Sequence, residues 1–180
     1  MARASKRDDV LEAVVTIIER DGLTAVTLDA VAEEIGMTRA GLLYHFPSRE
    51  ALIRATHEHL TGQWERELVA SAGKTAAEAS EAERHLAYVN VSVKAARRVE
   101  LLLMLESCEN KELGDLWQDV IDRWAPPFPV PCDDAAMKRF IARLAADGLW
   151  MHEALSSRPV SRELRRDVIA RLTDLLDGDA

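Results

Sequence analysis

Apolar residues recur along this chain at spacings of three and four, the mark of helices with one buried face. Val10, Val14, Ile17 and Ile18, with Leu11, set the first stripe, and Asp21-Gly22 closes it. Thr27 is placed to cap a short helix carrying Leu28, Val31, Ala32 and Ile35, which Gly36 ends. A second short helix is expected from about Thr38 to His45. Pro47-Ser48 stops it, and Ser48 caps a long helix bearing Leu52, Ile53, Leu60, Trp64 and Leu68. The small, polar stretch 71–80 reads as a loop.

Beyond that loop, Leu86, Val89, Val93 and Ala96 predict a helix ending near Arg97-Arg98. Val99 to Leu105 is apolar on every side and predicts a helix buried all round. Leu113, Trp117, Val120, Ile121 and Trp124 form the next stripe, and the prolines from Pro126 to Pro131 forbid helix after it. Met137, Ile141, Leu144, Gly148, Met151 and Leu155 then alternate by three and four like the seam of a bundle. Leu164, Val168, Leu172, Leu175 and Leu176 give a last amphipathic helix. No segment alternates as a strand does. The expected fold class is all-α, with about nine helices.

Composition narrows the class. The 180 residues are 48% hydrophobic, enough for a real core. No apolar stretch approaches the roughly 20 residues that span a bilayer. The start, Met1 to Arg7, has no apolar run after its charges, so no signal peptide and no membrane partner are expected, and the cytoplasm is the expected location. Cys108 and Cys132 then read as reduced thiols. No glycine-rich elbow or phosphate loop occurs, no Cys-x-x-Cys occurs, and His57 and His59 point to different helix faces. Neither an enzyme nor a cofactor or metal site is expected.

The net charge of -8 weighs mildly against a nucleic-acid partner. Placement matters more than the sum, because phosphate contact needs cations on one face only. Arg3, Lys6, Arg7, Arg39 and Arg49 fall at element ends around the two short helices, while Glu12, Glu19, Glu33 and Glu34 can occupy other faces. Two short helices crossing steeply need a small residue at the crossing, a turn residue that tolerates positive φ, and apolar plugs. Ala32, Gly36 and the set Val31, Ile35, Met37 and Leu42 supply them, so residues 27–46 read as a helix-turn-helix. An ordinary helical hairpin has the same spacing.

The residues around that spacing decide between the two. Asp21-Gly22-Leu23, Thr27 to Ala32, Gly36-Met37-Thr38-Arg39 and Leu42 to Leu52 resemble the DNA-binding signature of the TetR/AcrR family of bacterial transcriptional repressors. The resemblance covers residues 8–55 closely; residues 60–180 are similar only in helical layout, and Asp147-Gly148-Leu149-Trp150 is similar to a motif in one subset of the family. It implies a homodimer, a three-helix DNA-binding domain and a helical domain that binds an effector and dimerises. The corresponding division here is 1–47 and 48–180, with 48–70 as a connecting helix.

The resemblance also implies roles for single residues. Thr38, Arg39, Ala40 and Gly41 open the helix that enters the major groove. Arg39 is suited equally to reading guanine and to holding a phosphate. Ala40 and Gly41 allow close approach. Tyr44 and His45 are expected at phosphates, Thr27 and Thr38 at the DNA backbone, and Arg49 at a phosphate where the fourth helix begins, with Lys6 and Arg7 in a basic arm. Leu43 departs from the tyrosine common in the family and removes one phosphate contact. Phe46 and Leu42 are expected in the core.

Aromatic and soft side chains gather beyond residue 60. Trp64, Tyr88, Met104, Cys108, Trp117, Trp124, Trp150 and Met151 are the candidates to line a pocket for a small, largely apolar effector, with core packing as the alternative for each. His85, Asp147 and His152 are polar groups able to orient such a ligand or to serve the fold. Ile141, Leu144, Gly148, Leu172, Leu175 and Leu176 are the candidates for the dimer contact, or for closing the monomer's own core. The expected function is a repressor that binds a palindromic operator as a homodimer and releases it on binding its effector. The alternative is a helical-bundle protein-interaction module without DNA binding.

Overall fold

The computed structural model describes residues 6–93, 97–129 and 133–177. Arg3 of the expected basic arm, Ala96, Val130, Pro131 and Cys132 lie outside the described residues. Among those described, nine α-helices and one 3-10 turn occur and no strand: α1 Lys6–Asp21, the turn Leu23–Ala25, α2 Leu28–Glu34, α3 Arg39–His45, α4 Arg49–Ala72, α5 Glu81–Ser92, α6 Arg98–Ser107, α7 Lys111–Trp124, α8 Asp134–Leu155 and α9 Arg162–Asp177. None of these helices is long and apolar enough to cross a membrane. The chain is all-α.

Packing divides the chain into two compact units, residues 1–62 with 98–116 and residues 63–97 with 117–180. The division differs from the expected boundary at residue 47. The first half of α4 and α6 belong to the unit of the N-terminal helices, where α6 buries Val99 and Leu103, whereas a boundary read from the chain order cannot place α6 there.

In the first unit, Val10, Leu11, Val14, Val15, Ile17 and Ile18 leave at most 1% of their surface exposed. At ~1.5–3 kcal/mol for each large apolar side chain, α1 is the anchor of this unit. Leu42 and Phe46 are buried too, as expected. The first half of α4 carries buried polar groups as well. Thr56 and Thr61 return their hydroxyls to the Leu52 and His57 carbonyls, 2.9 Å each, which satisfies them without a partner from elsewhere. Buried His57 lies 3.3 Å from Glu106 of α6, and His59 lies 2.8 Å from Glu12 of α1. Burial pushes the His57 imidazole below its ordinary value against the pull of Glu106, so it is neutral at pH 7.

Helix α6 corrects one expectation. Val99, Leu103 and Ser107 are buried, but Leu105 is 60% exposed, so the helix is not buried all round. Its apolar run is continuous in sequence, yet only one face of it meets partners such as α1. Helix α5 also differs from the pattern. It starts at Glu81 because Ser80 and Glu83 form a reciprocal capping box, and it ends at Ser92 rather than near Arg97-Arg98.

The second unit has two apolar clusters. Leu68, Ala87, Tyr88, Val91, Val120, Trp124 and Ala125 form one, with Trp64 and Ile121 packed against it. Val89, Val93, Ala142, Ala146 and Leu172 form the other, with Leu149, Val168, Leu175 and Leu176 against it. Helix α8 therefore turns Ala142 and Ala146 inward.

Candidate functional site

The two short helices are built by their ends. The Thr27 hydroxyl accepts the Ala30 amide at 3.1 Å, and the Thr38 hydroxyl accepts the Gly41 amide at 3.1 Å. Each cap satisfies an amide that a helix of seven residues could otherwise offer only to solvent. Between them, Gly36 sits at φ 64°. Its amide donates to the Glu33 carbonyl (3.1 Å), and the Met37 amide donates to the Ala32 carbonyl (2.8 Å). This pair of bonds is a Schellman motif, which ends α2 and redirects the chain into α3.

The crossing leaves α3 with two unlike faces. Leu42 and the following Phe46 are buried, whereas Arg39, Ala40, Leu43 and Tyr44 face solvent, Tyr44 at 87% exposure. The ring of half-buried His45 meets Tyr44 edge-on, with centroids 5.3 Å apart. Gly41 has a tighter constraint than access for DNA. A Cβ there would lie 3.2 Å from Met37 Cγ and 3.2 Å from Thr38 Oγ1, so the missing side chain makes room for the turn plug and the cap.

The expected cations divide. Lys6 is exposed at the start of α1, and the Arg7 guanidinium lies 5.2 Å above the Phe46 ring, within cation–π range. Arg39 is exposed and pairs with Asp29 at 3.0 Å. Arg49 has partners within the fold. Instead of presenting its guanidinium outward for a phosphate, it donates to the Val26 carbonyl at 2.7 Å and the Leu23 carbonyl at 3.2 Å. It clamps the start of α4 to the turn before α2, because that turn leaves two carbonyls within reach of one planar fork.

Pairing also answers the acidic balance. Glu34 receives both terminal nitrogens of Arg20, at 3.0 and 3.3 Å, Glu12 meets His59, and Asp29 meets Arg39. Glu34 and Glu12 are thus matched by Arg20 and His59, and Asp29 is matched by Arg39 at the outer face of α3.

In the second unit the structure brings three of the expected ligand residues together. The Trp64 ring lies 6.0 Å from Tyr88 and 6.3 Å from Trp117, centroid to centroid. Tyr88 donates its hydroxyl to Asp147 at 2.7 Å, and Arg143 approaches the same carboxylate at 3.7 Å. Burial raises the Asp147 carboxyl above its ordinary value, opposed by the Tyr88 bond and the Arg143 charge. Trp124 is fully buried, with its indole N–H given to Glu65 at 3.2 Å, and serves the core. Trp150 is half-buried and Met151 is 46% exposed. Met104 and Cys108 belong to the other unit, and Cys108 is exposed in the turn after α6, which removes it from an enclosed pocket. His85 is buried with Nδ1 unpartnered; burial lowers it to about 4.

The expected dimer residues also divide. Leu172 is 5% exposed, and Leu175 and Leu176 pack on its cluster, so these three close the monomer's own core. Ile141, Leu144, Met151 and Leu155 are exposed at 47, 53, 46 and 67%, on one face of α8 with Gly148. The functional partner that sequence reading missed is Asp29. A single acid in a helix first turn carries no signal, since only the crossing of α2 and α3 brings it to Arg39.

A capped, glycine-turned pair of helices with a solvent-facing second member, in an all-helical chain, defines a helix-turn-helix regulator. Residues 10–56 match the model for bacterial regulatory proteins of the tetR family, and residues 82–177 match that for tetracyclin repressor-like C-terminal domains. The chain belongs to the TetR family and is a DNA-binding regulator of transcription. The reading without DNA binding is not favoured. Among its relatives, the HTH-type transcriptional regulator BetI of Cronobacter sakazakii is 28% identical over 174 residues, covering 89% of this chain and 85% of the relative. BetI of Rhizobium meliloti is 28% identical over 170 residues, covering 88% and 82%. A transcriptional regulator of Saccharomonospora viridis, solved in complex with choline, shares the fold with a TM-score of 0.71 at 22% identity, covering 96% of each chain.

Proposed function

We propose that this regulator is a repressor that binds a palindromic operator as a homodimer, presenting one α3 from each copy to the major groove, and releases it when a small, largely apolar molecule binds. The observation that carries the reading is the two-faced α3, with Leu42 and Phe46 buried and Arg39, Ala40 and Tyr44 outward. In functional terms residues 1–47 read DNA, 48–70 connect, and the rest bind effector and partner copy. Lys6, Arg7, Thr27, Thr38, Tyr44 and His45 hold the duplex backbone around Arg39.

The effector site we infer is at Trp64, Tyr88 and Trp117, where buried Tyr88 and Trp117 and half-buried Trp64 would supply apolar area and π faces to a ligand that enters between them. Such faces suit a methylated ammonium as well as a neutral molecule. The choline in the Saccharomonospora viridis complex makes small organic cations the first class to test. The exposed α8 face of Ile141, Leu144, Gly148, Met151 and Leu155 meets its copy in the dimer.

Selection of bound DNA from a random pool tests the reading. Wild type should enrich a palindrome with half-sites at least about one helical turn apart, and Arg39→Ala should not. Adding choline or an uncharged isostere to the complex then tests release. Failure to enrich any palindrome at low salt refutes the proposal.

A further inference from the structure

Asp29 and Arg39 occupy the first turns of α2 and α3. One terminal nitrogen of Arg39, Nη1, donates to both carboxylate oxygens of Asp29, at 3.1 and 3.0 Å. The two side chains keep 68% and 61% of their surface in solvent. An ion pair so exposed adds little to stability, so its consequence is geometric.

An arginine on a DNA-facing helix has two ways to meet the duplex. A phosphate accepts it from many directions and conveys no sequence, whereas guanine offers two acceptors on one edge and needs an oriented fork. Asp29 acts on that choice twice. Its charge offsets part of the attraction between Arg39 and phosphate. Its two oxygens engage Nη1, so the Nε and Nη2 edge is the one left to meet guanine. An acid this close to the duplex also repels phosphates, so it weakens binding to every sequence alike. Orienting Arg39 is the one effect of Asp29 that favours a particular sequence.

We propose that Asp29 is a positioning residue that sets base specificity through Arg39, making guanine the base Arg39 reads. This rests on the reading of α3 as the helix in the major groove. On this inference Arg39 reads guanine rather than holding a phosphate, the two roles that the sequence leaves equal.

The test uses the full chain and the operator enriched by wild type. Binding is measured to that operator and to versions substituted at each half-site position, across a range of salt, for wild type, Asp29→Ala, Asp29→Asn, Arg39→Ala and the double variant Asp29→Ala/Arg39→Ala. Wild type should prefer guanine at one symmetric position, and Arg39→Ala should lose that preference. Asp29→Ala should bind the operator still, with its guanine preference reduced about tenfold and a salt dependence steeper by about one phosphate contact. Asp29→Asn, which keeps the shape and one acceptor, should fall between. In the Arg39→Ala background, Asp29→Ala should leave base preference unchanged. Circular dichroism checks that each variant is folded.

An unchanged guanine preference in Asp29→Ala would overturn the inference, whatever the salt slope. So would a change of preference that persists without Arg39. A wild-type chain that enriches no operator overturns the DNA reading itself, whereas an enriched operator indifferent to Arg39→Ala overturns only the inference.

Discussion

The Tyr88 hydroxyl donates to Asp147 at 2.7 Å, a bond across 59 positions of sequence that ties α5 to α8 inside one apolar unit. Burial raises the Asp147 carboxyl and the Tyr88 phenol above their ordinary values, so at pH 7 the phenol remains a donor to a partly desolvated carboxylate. Tyr88→Phe removes the donor and leaves a part-exposed carboxylate with Arg143 at 3.7 Å as a remaining partner. The expected cost at pH 7 is about 1 kcal/mol, the net value of one hydrogen bond. Because Asp147 is raised in the fold, protonation relieves that cost, and the gap between variant and wild type should narrow as pH falls from 7. Thermal unfolding across that range measures it.

Gly36 at φ 64° has no atom within 4 Å of where a Cβ would stand. Gly36→Ala therefore meets no clash, only the left-handed backbone, and should cost about 1–2 kcal/mol. Denaturant titration gives the figure. A neutral result would mean that α2 can end without the Schellman geometry.

Arg49 discriminates between clamp and phosphate grip. Arg49→Ala removes two bonds to the Val26 and Leu23 carbonyls and should lower stability by about 1–2 kcal/mol. Its operator binding should keep the salt slope of wild type. A slope shallower by about one phosphate contact would restore the role expected from sequence.

His85 gives the second unit a pH dependence. Burial lowers its imidazole from the ordinary 6.5 to about 4, opposed by Glu81 and reinforced by Arg139 and Arg84. Between those values the unfolded chain binds the proton and the fold does not. Its contribution is therefore complete above pH 6.5 and is lost progressively as pH falls toward 4, by roughly 3 kcal/mol at most. His85→Gln should flatten that part of the stability profile.

Two leucines of the last helices should fail in different ways. Leu144, 53% exposed, belongs to the proposed dimer face, and Leu144→Glu should yield a folded monomer by sedimentation. Leu172, 5% exposed, belongs to the core, and Leu172→Ala should cost about 2–5 kcal/mol of stability. A dimer unaffected by Leu144→Glu would remove this face from the assembly.

The sequence by itself determined the helices, their caps and the reading head. Threonine caps, the glycine turn and apolar periodicity act over three or four residues, where backbone geometry leaves few alternatives, so Thr27, Gly36, Thr38 and the inward Leu42 and Phe46 were legible. The TetR/AcrR resemblance and the all-α class rested on the same local rules. Tertiary structure decided which of two possible partners a residue takes. Leu144 and Leu172 sit on equally regular stripes, but only packing turns one outward and the other inward. Arg49 turns to two carbonyls, α6 joins the unit of the N-terminal helices, and Asp29 reaches Arg39 only where α2 crosses α3. Each depends on contacts between segments far apart in the chain, for which periodicity gives a face and not the neighbour that covers it.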